Sequence, residues 1–323
     1  MSALTRRAAI ATAVASACRP ALAAGSYPTR PVAIVVPFAA GGSADFYARL
    51  LAPRLQAALG QPFIVDDRPG AGSIIGSDHV KNANPDGYKL LLISNTHTVN
   101  ETLFANKPFK LMTDFVPIAP INSSDLVLVT RPGLGVTTVA DLIAKAKAAP
   151  GQLSFASSGP GTPYHMAGEL FKQMAGVDIL HVPYKGSSGA RTDVMGGQVD
   201  VMFDAITTMS SYIKATKVIA LATTGAAKSA VLPTLPTVAE TVPGYEAVIW
   251  LGLVAPKSVP PAVVDTLSRT LETILADPQL QSTWTQDGAV PMLMTPAAFG
   301  TFMTEDIAKW AKVVNLSGAK AGE

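Results

Sequence analysis

The sequence predicts an α/β protein of two lobes closing on a cleft, and three observations carry that expectation. Short apolar runs alternate with helical periodicities along most of the chain. The order strand, glycine turn, helix N-terminus occurs twice, once in each half. Apolar runs at residues 115–121 and 126–130, on either side of a polar stretch, and at 248–254 are suited to carry the chain from the first half to the second and back, before a helical C-terminus that begins at Pro260. At 323 residues the chain is also long for one core, which favours two domains.

Composition narrows the function. Hydrophobic residues make up 48% and charged residues 15%, with a net charge of +2, so no basic field is present to attract nucleic acid. No run reaches the roughly 18 to 20 apolar residues of a spanning helix. Arg6 and Arg7, the apolar stretch 8–17 and the small-x-small site Ala21-Leu22-Ala23 read as a signal peptide over residues 1–23. Its cleavage near Ala24 would remove Cys18, the sole cysteine, leaving neither disulfide nor thiolate. A lipoprotein site at Cys18 is the alternative, although Ala15 stands where such sites prefer Leu. The arginine pair also suggests twin-arginine export, with a poor fit in the surrounding residues. Each route leads out of the cytoplasm, to the periplasm.

In the first half, residues 32–36 (VAIVV) form a buried strand and residues 37–45 (PFAAGGSAD) a ligand loop, followed by a helix bearing Leu50, Leu51, Leu55 and Leu59. Gly41 and Gly42 let the backbone approach a bound group, and the first N–H groups of the helix have no partner within it. The helix dipole adds roughly half a positive charge there. No Lys or Arg occurs in the loop, so a carboxylate can be held by neutral donors. Pro53 removes one internal hydrogen bond and is expected to kink this helix near Arg49. A strand at 63–65 leads through Asp66 and Asp67 to Gly70, Gly72 and Gly76. That spacing is not the dinucleotide fingerprint, which also requires an acid about twenty residues after the glycines. A third strand at 88–93 ends in Ser94-Asn95-Thr96-His97, where an open α/β sheet places ligands or where a polar loop caps the next helix. Runs 115–121 and 126–130 flank Asn122-Ser123-Ser124-Asp125, the expected first crossing.

The second half opens with a helix at 139–148, with Thr138 and Asp141 at capping spacing. A strand at 153–156 runs into SSGPGTPYH (157–165) and a helix carrying Met166, Leu170, Phe171 and Met174. Pro163 suits the first helical turn. Further strands are expected at 179–182, 199–203 and 218–223, the first two separated by PYKGSSGA and a helix. Asp204 would emerge just past the second of them, to receive a ligand ammonium or hydroxyl or to fasten its loop. Residues 233–243 are Pro-rich and irregular. The C-terminal stripes Val263, Leu267, Leu271, Leu275 and Phe299, Met303, Ile307, Trp310, Val314 are core.

Catalytic chemistry is not indicated. The four histidines, 79, 97, 165 and 181, lack zinc-site spacing, and there is no G-x-S-x-G elbow. Ser158, His165 and Asp204 can be imagined as a triad, but sequence cannot supply the geometry that defines one. His165 reads instead as a first-turn residue orienting its loop or a ligand oxygen. Asp45 fits a structural cap on the dipole better than a ligand contact.

The ordered segments YPTRPVAIVVPFAAGGSADFYAR, DDRPGAGSIIGSD, NPDGYKLLL, SSGPGTPYHMAGELF, HVPYKGSSGA, GGQVDVMFD and LPTVAE resemble the Bug family of periplasmic solute-binding proteins over nearly all of the mature chain. These are the extracytoplasmic receptors of tripartite tricarboxylate transporters. The resemblance implies a type II periplasmic-binding-protein fold with two lobes and a ligand cleft. Lobe 1 would comprise residues 24–124 and 254–323, lobe 2 residues 125–253, with hinges at about 124–130 and 247–253. It implies a receptor without catalytic residues, metal or cofactor, a monomer, which delivers a small organic carboxylate to membrane transporter subunits. The ligand would be a dicarboxylate, tricarboxylate, acidic amino acid or aromatic acid. A periplasmic sensor feeding a signalling receptor is the alternative. Ligand contacts are expected from Phe38, Ala40, Gly41, Gly42, Ser43 and Asp45 on the first loop, and from Ser94 and Thr96 after the third strand. On the second lobe they are expected from Ser157, Ser158, Gly161, Thr162 and His165, with Asp204. The family has Pro-Gly-Gly in the first loop where this chain has Ala40-Gly41-Gly42, which relaxes the loop but keeps both glycines.

Overall fold

The computed structural model describes residues 27–104, 106–317 and 319; the expected signal segment, with Cys18, lies outside the described residues. The first half contains β1 (Val32–Val36), α1 (Ser43–Leu59), β2 (Phe63–Asp67), α2 (Ile74–Lys81), β3 (Lys89–Ser94), α3 (Asn95–Leu103) and the short α4 (Leu111–Asp114). β1 pairs in parallel with β2 and β3. Alternation across the sheet sends Val32, Ile34 and Val36 into a core shared with α1 and α9 (Pro261–Leu275), while Val35 packs on the opposite face with Leu91, Trp250 and Phe299. Burial on both faces is why these strands read as unbroken apolar runs.

The chain then enters β4 (Phe115–Thr130), a strand of 16 residues. The two separate runs expected from the sequence are therefore one strand. The polar stretch between them stays in the sheet because its neighbours pair there: Asn122–Asp125 is matched by β9 (Val248–Pro256), and Asn122, Ser123 and Ser124 by β10 (Ala289–Pro291). From Leu126 onward β4 pairs instead with β7 (Val201–Ala205) and β8 (Ile219–Thr223). One strand thus passes from the first sheet to the second.

The second half adds α5 (Val139–Ala148), β5 (Ser154–Ser157), α6 (Pro163–Ala175), β6 (Leu180–Pro183), α7 (Ser187–Met195) and, after β7, α8 (Ile206–Lys214). The strand order is β2-β1-β3-β9-β4-β7-β5-β6, with β8 and β10 both on β4. The second lobe's core is built on Leu128, Phe155, Phe171, Phe203 and Tyr245. The return segment from Val248 belongs to the first sheet, where β9 lies between β3 and β4.

α1 runs as one helix with Pro53 inside it. Two further differences from the sequence expectation are local. Asp204 lies inside β7 rather than beyond it. The C-terminal region is not uniformly helical, since α10 (Pro278–Gln286) and β10 precede α11 (Pro296–Ser317). α11 packs Trp310, Val313 and Val314 against Val99 and Leu103 of α3 and Met166 of α6, joining the lobes behind the cleft.

Candidate ligand cleft

The opening turn is set by its own backbone. Gly41 has φ +79°, a left-handed conformation that L side chains rarely adopt. Its N–H donates to Asp45 Oδ2 at 2.8 Å. Asp45 Oδ1 in turn lies 2.5 Å from Arg49 Nε, and Arg49 Nη2 lies 2.7 Å from Asp67. Asp45 therefore fastens the turn from within. Gly42 is the N-cap of α1 and has no side chain to cap it, so the first-turn N–H groups are left for whatever occupies the turn.

The second turn is held by side chains. Thr162 caps α6, accepting the His165 N–H at 3.4 Å and donating to the Gly159 carbonyl at 2.7 Å. His165 Nδ1 accepts the Gly161 N–H at 3.1 Å. Its ring stacks on His181 at 4.0 Å, and His181 Nε2 lies 2.7 Å from Ser157 Oγ. Burial, then the neighbouring His181 and Lys172, pushes His165 down to about 3, and burial with Lys172 pushes His181 to about 4. Both rings are neutral near pH 7, as an acceptor Nδ1 on His165 requires. After β3, Ser94 caps α3 through Thr96 N at 3.2 Å, and its N–H donates to His97 Nδ1 at 3.2 Å.

A cavity of about 500 Å³ lies between these turns. Of the expected residues, Phe38, Gly42, Ser43 and Ser94 line it from the first lobe, and Ser158 and Thr162 from the second. Ala40, Gly41, Asp45, Thr96, Ser157, Gly161, His165 and Asp204 are not among the lining residues. Most of these hold the wall from behind: Asp45 and His165 each fix a turn, and Gly161 sits where a Cβ would lie 2.7 Å from Asn100 Oδ1 and 3.0 Å from Leu103 Cδ2. Ser158, His165 and Asp204 do not assemble a triad, because His165 Nδ1 is taken by Gly161 and Asp204 by Arg191.

Arg191 was not anticipated. Buried on α7, it donates from Nη1 to Asp204 Oδ2 at 2.8 Å and from Nη2 to the Gly41 carbonyl of the opposite lobe at 2.9 Å. Burial raises the Asp204 carboxyl, opposed by Arg191 and by the Ala205 N–H. The lobes also meet where Ser43 Oγ lies 3.1 Å from Tyr164 OH and Tyr47 OH 3.0 Å from Thr207 Oγ1. A third turn reaches the cavity through Lys185, Gly186 and Ser187, with Gly186 as the N-cap of α7. The signal for it was in the sequence, since β6, Gly186, two serines and α7 repeat the strand, glycine turn, helix order.

Among the described residues, no group of His, Cys, Asp and Glu is placed to hold a metal ion, and no helix is long and apolar enough to cross a membrane. Residues 47–318 match the pattern of the tripartite tricarboxylate transporter family receptor, TctC. The chain belongs to this family. Protein BugT of Bordetella pertussis is 37% identical over 302 residues, covering 93% of each chain. Among solved structures, R. palustris Rpa4515 with adipate has a TM-score of 0.88 at 34% identity, over 91% of this chain and 99% of that one. The periplasmic binding protein BugD has a TM-score of 0.86 at 35% identity, with the same coverage. The TctC family and these neighbours are solute-binding proteins, not enzymes, and the two-lobed binding-protein fold is shared with them.

Proposed function

We propose that this TctC-family protein is an extracytoplasmic receptor that captures a small organic carboxylate between its lobes and delivers it to the membrane subunits of a tripartite transporter. The observation that carries the proposal is the convergence of the α1 and α6 N-termini, from opposite lobes, on one cavity. Helix N-termini offer backbone donors and a favourable potential to an anion without a side-chain cation. A ligand touching both turns favours the closed arrangement over an open one by the contacts it makes with each lobe. β4 and β9, the strands that connect the lobes, are the expected hinges. Adipate with Rpa4515 supports the ligand class. Periplasmic location after cleavage near Ala24, and action as a monomer, complete the proposal.

Thermal unfolding of the mature chain against a panel of small carboxylates tests it, because a ligand bound only by the folded state raises the midpoint. A rise with carboxylates supports the receptor; a rise with neutral or cationic solutes alone overturns it. Delivery is tested by reconstituting uptake with the membrane subunits, where accumulation of labelled ligand independent of this chain would exclude a transport role.

A further inference from the structure

The lobes touch on two sides of the cavity, and the two contacts differ in kind. On one side the opening turn meets the third turn through backbone and small residues. A Cβ at Gly186 would lie 2.7 Å from Ala39 Cβ, and one at Gly42 would lie 3.7 Å from Ser187 Oγ. Ser188 Oγ donates to the Ala40 carbonyl at 3.5 Å, and Arg191 Nη2 to the Gly41 carbonyl at 2.9 Å. The α1 N-terminus, offered above as an anion anchor, starts on this side, and the α6 terminus adjoins it through the Ser43 and Tyr164 hydroxyls.

On the other side the contact runs through one ring. Phe104, the C-cap residue of α3, lines the cavity. It is also packed against the cluster of Val99, Leu103, Met166 and Trp310 that joins α3, α6 and α11 behind the cleft. Its tip reaches the turn before α2: a Cβ at Gly72 would lie 3.1 Å from Phe104 Cζ and 3.2 Å from the Pro160 carbonyl oxygen of the second lobe. Gly72 has φ +60°, so glycine there answers both a left-handed backbone and the space taken by the ring. Farther back the lobes are in direct contact, since a Cβ at Gly161 would lie 3.0 Å from Leu103 Cδ2. The ring of Phe104 therefore stands between the cavity and a packed apolar cluster.

We propose that Phe104 is a specificity-determining residue that sets the longest ligand the closed cleft accepts. A ligand anchored by a carboxylate at the α1 and α6 N-termini runs toward Phe104, and its far end abuts the ring. Packed interiors register a change of even one methylene, so a chain longer than this space must displace the ring or hold the lobes apart. The limit is steric and applies to a ligand with one acidic end or two. It rests on the carboxylate-receptor proposal above and adds the residue that gauges ligand length. The cavity volume of about 500 Å³ lies within the range of small-molecule sites.

The test is isothermal titration of the mature chain, freed of any copurified ligand by unfolding and refolding, with two series: linear monocarboxylates from butanoate to decanoate, and linear dicarboxylates from succinate to sebacate. In whichever series binds, wild-type affinity should rise with chain length to an optimum and then fall by about tenfold or more once the chain meets the ring. Phe104→Ala should move the optimum to chains longer by about two to four carbons, the depth that truncating an aromatic ring opens. Phe104→Leu, which keeps an apolar side chain against the cluster and so protects the fold, should move it less in the same direction. An optimum unchanged in both variants overturns the inference and leaves the receptor proposal standing. Binding of neither series to the wild type also overturns it, while the broader carboxylate panel decides the receptor proposal separately. Binding of neutral solutes with no response to any carboxylate overturns both.

Discussion

Arg191 Nη2 donates to the Gly41 carbonyl at 2.9 Å while Nη1 of the same guanidinium holds Asp204 at 2.8 Å. A buried charge anchored in the second lobe thereby turns the Gly41 carbonyl of the first toward itself, and the neighbouring N–H groups of the turn are left for the cleft. The planar fork of arginine serves both partners at once.

Arg191→Lys keeps a cation beside Asp204 but cannot span both acceptors. Ligand affinity should fall by roughly tenfold or more, the equivalent of one charged hydrogen bond, with a smaller loss of stability. Arg191→Met removes the cation altogether and should destabilise the fold by about 3 to 5 kcal/mol, because Asp204 is left buried without its partner. Calorimetric titration and chemical denaturation measured on both variants separate the two effects. Equal affinity in wild type and Arg191→Lys would show that the contact with Gly41 does not support binding.

Gly161→Val tests lobe closure. Gly161 has φ +73° and faces Asn100 and Leu103 of α3 behind the cavity wall, so a branched side chain meets both a conformational and a steric obstacle. Binding should be abolished, while unfolding remains cooperative with a stability loss of about 1 to 3 kcal/mol from backbone strain. Unchanged affinity would remove this turn from the site.

The two principal turns were legible because each combines an apolar strand, glycines and a helical periodicity within about twenty residues, and local chemistry fixes such a unit. Which side of the turn meets the cavity was not legible. Gly41 and Asp45 turned out to bind one another, an arrangement that depends on a left-handed φ rather than on residue type. Asp204 falls inside its strand because the strand continues through Ala205, an end that the residue pattern does not mark. Arg191 is not legible in the sequence because its partners are separated from it by 13 and 150 positions, and only the packing of two lobes brings them together. The long β4 reads as two runs for a related reason: its polar centre pairs with β9 and β10, whose positions are set by tertiary structure.

A buried carboxylate behind the cleft offers a stability test. Asp306 accepts from Thr98 Oγ1 at 2.6 Å, Trp250 Nε1 at 3.1 Å and Trp310 Nε1 at 3.2 Å, and burial pushes its carboxyl upward. Asp306→Ala should leave the Trp250 and Trp310 indole N–H groups unpaired where α11 meets α3 and β9, while Thr98 Oγ1 keeps the Asn95 carbonyl, lowering stability by about 2 to 4 kcal/mol. Denaturant titration reads this directly. A loss below about 0.5 kcal/mol would mean that the donors find other partners.

Acid stability follows from the histidines. Burial pushes His97 down to about 3, His165 to about 3 and His181 to about 4, all below the ordinary value of 6.5. In the unfolded chain these groups take up protons as pH falls through 6.5, while in the folded protein they stay neutral until about 4 to 3. The unfolded state therefore binds more protons across that window, and stability must fall as pH falls, by up to about 1.4 kcal/mol per pH unit for each such group. Their contribution is fully present above pH 6.5 and lost progressively between there and about pH 3. Asp204 and Asp306, displaced upward by burial, work in the opposite sense and blunt the loss at the acid end. Protonating folded His165 also places a hydrogen on the Nδ1 that accepts the Gly161 N–H, so the second turn should loosen only as pH approaches about 3. Denaturant midpoints at pH 7, 6, 5 and 4 should decline steadily, and His165→Asn should flatten the profile by removing one titrating group. A wild-type midpoint constant from pH 7 to 5 would show that these rings are not held neutral by burial.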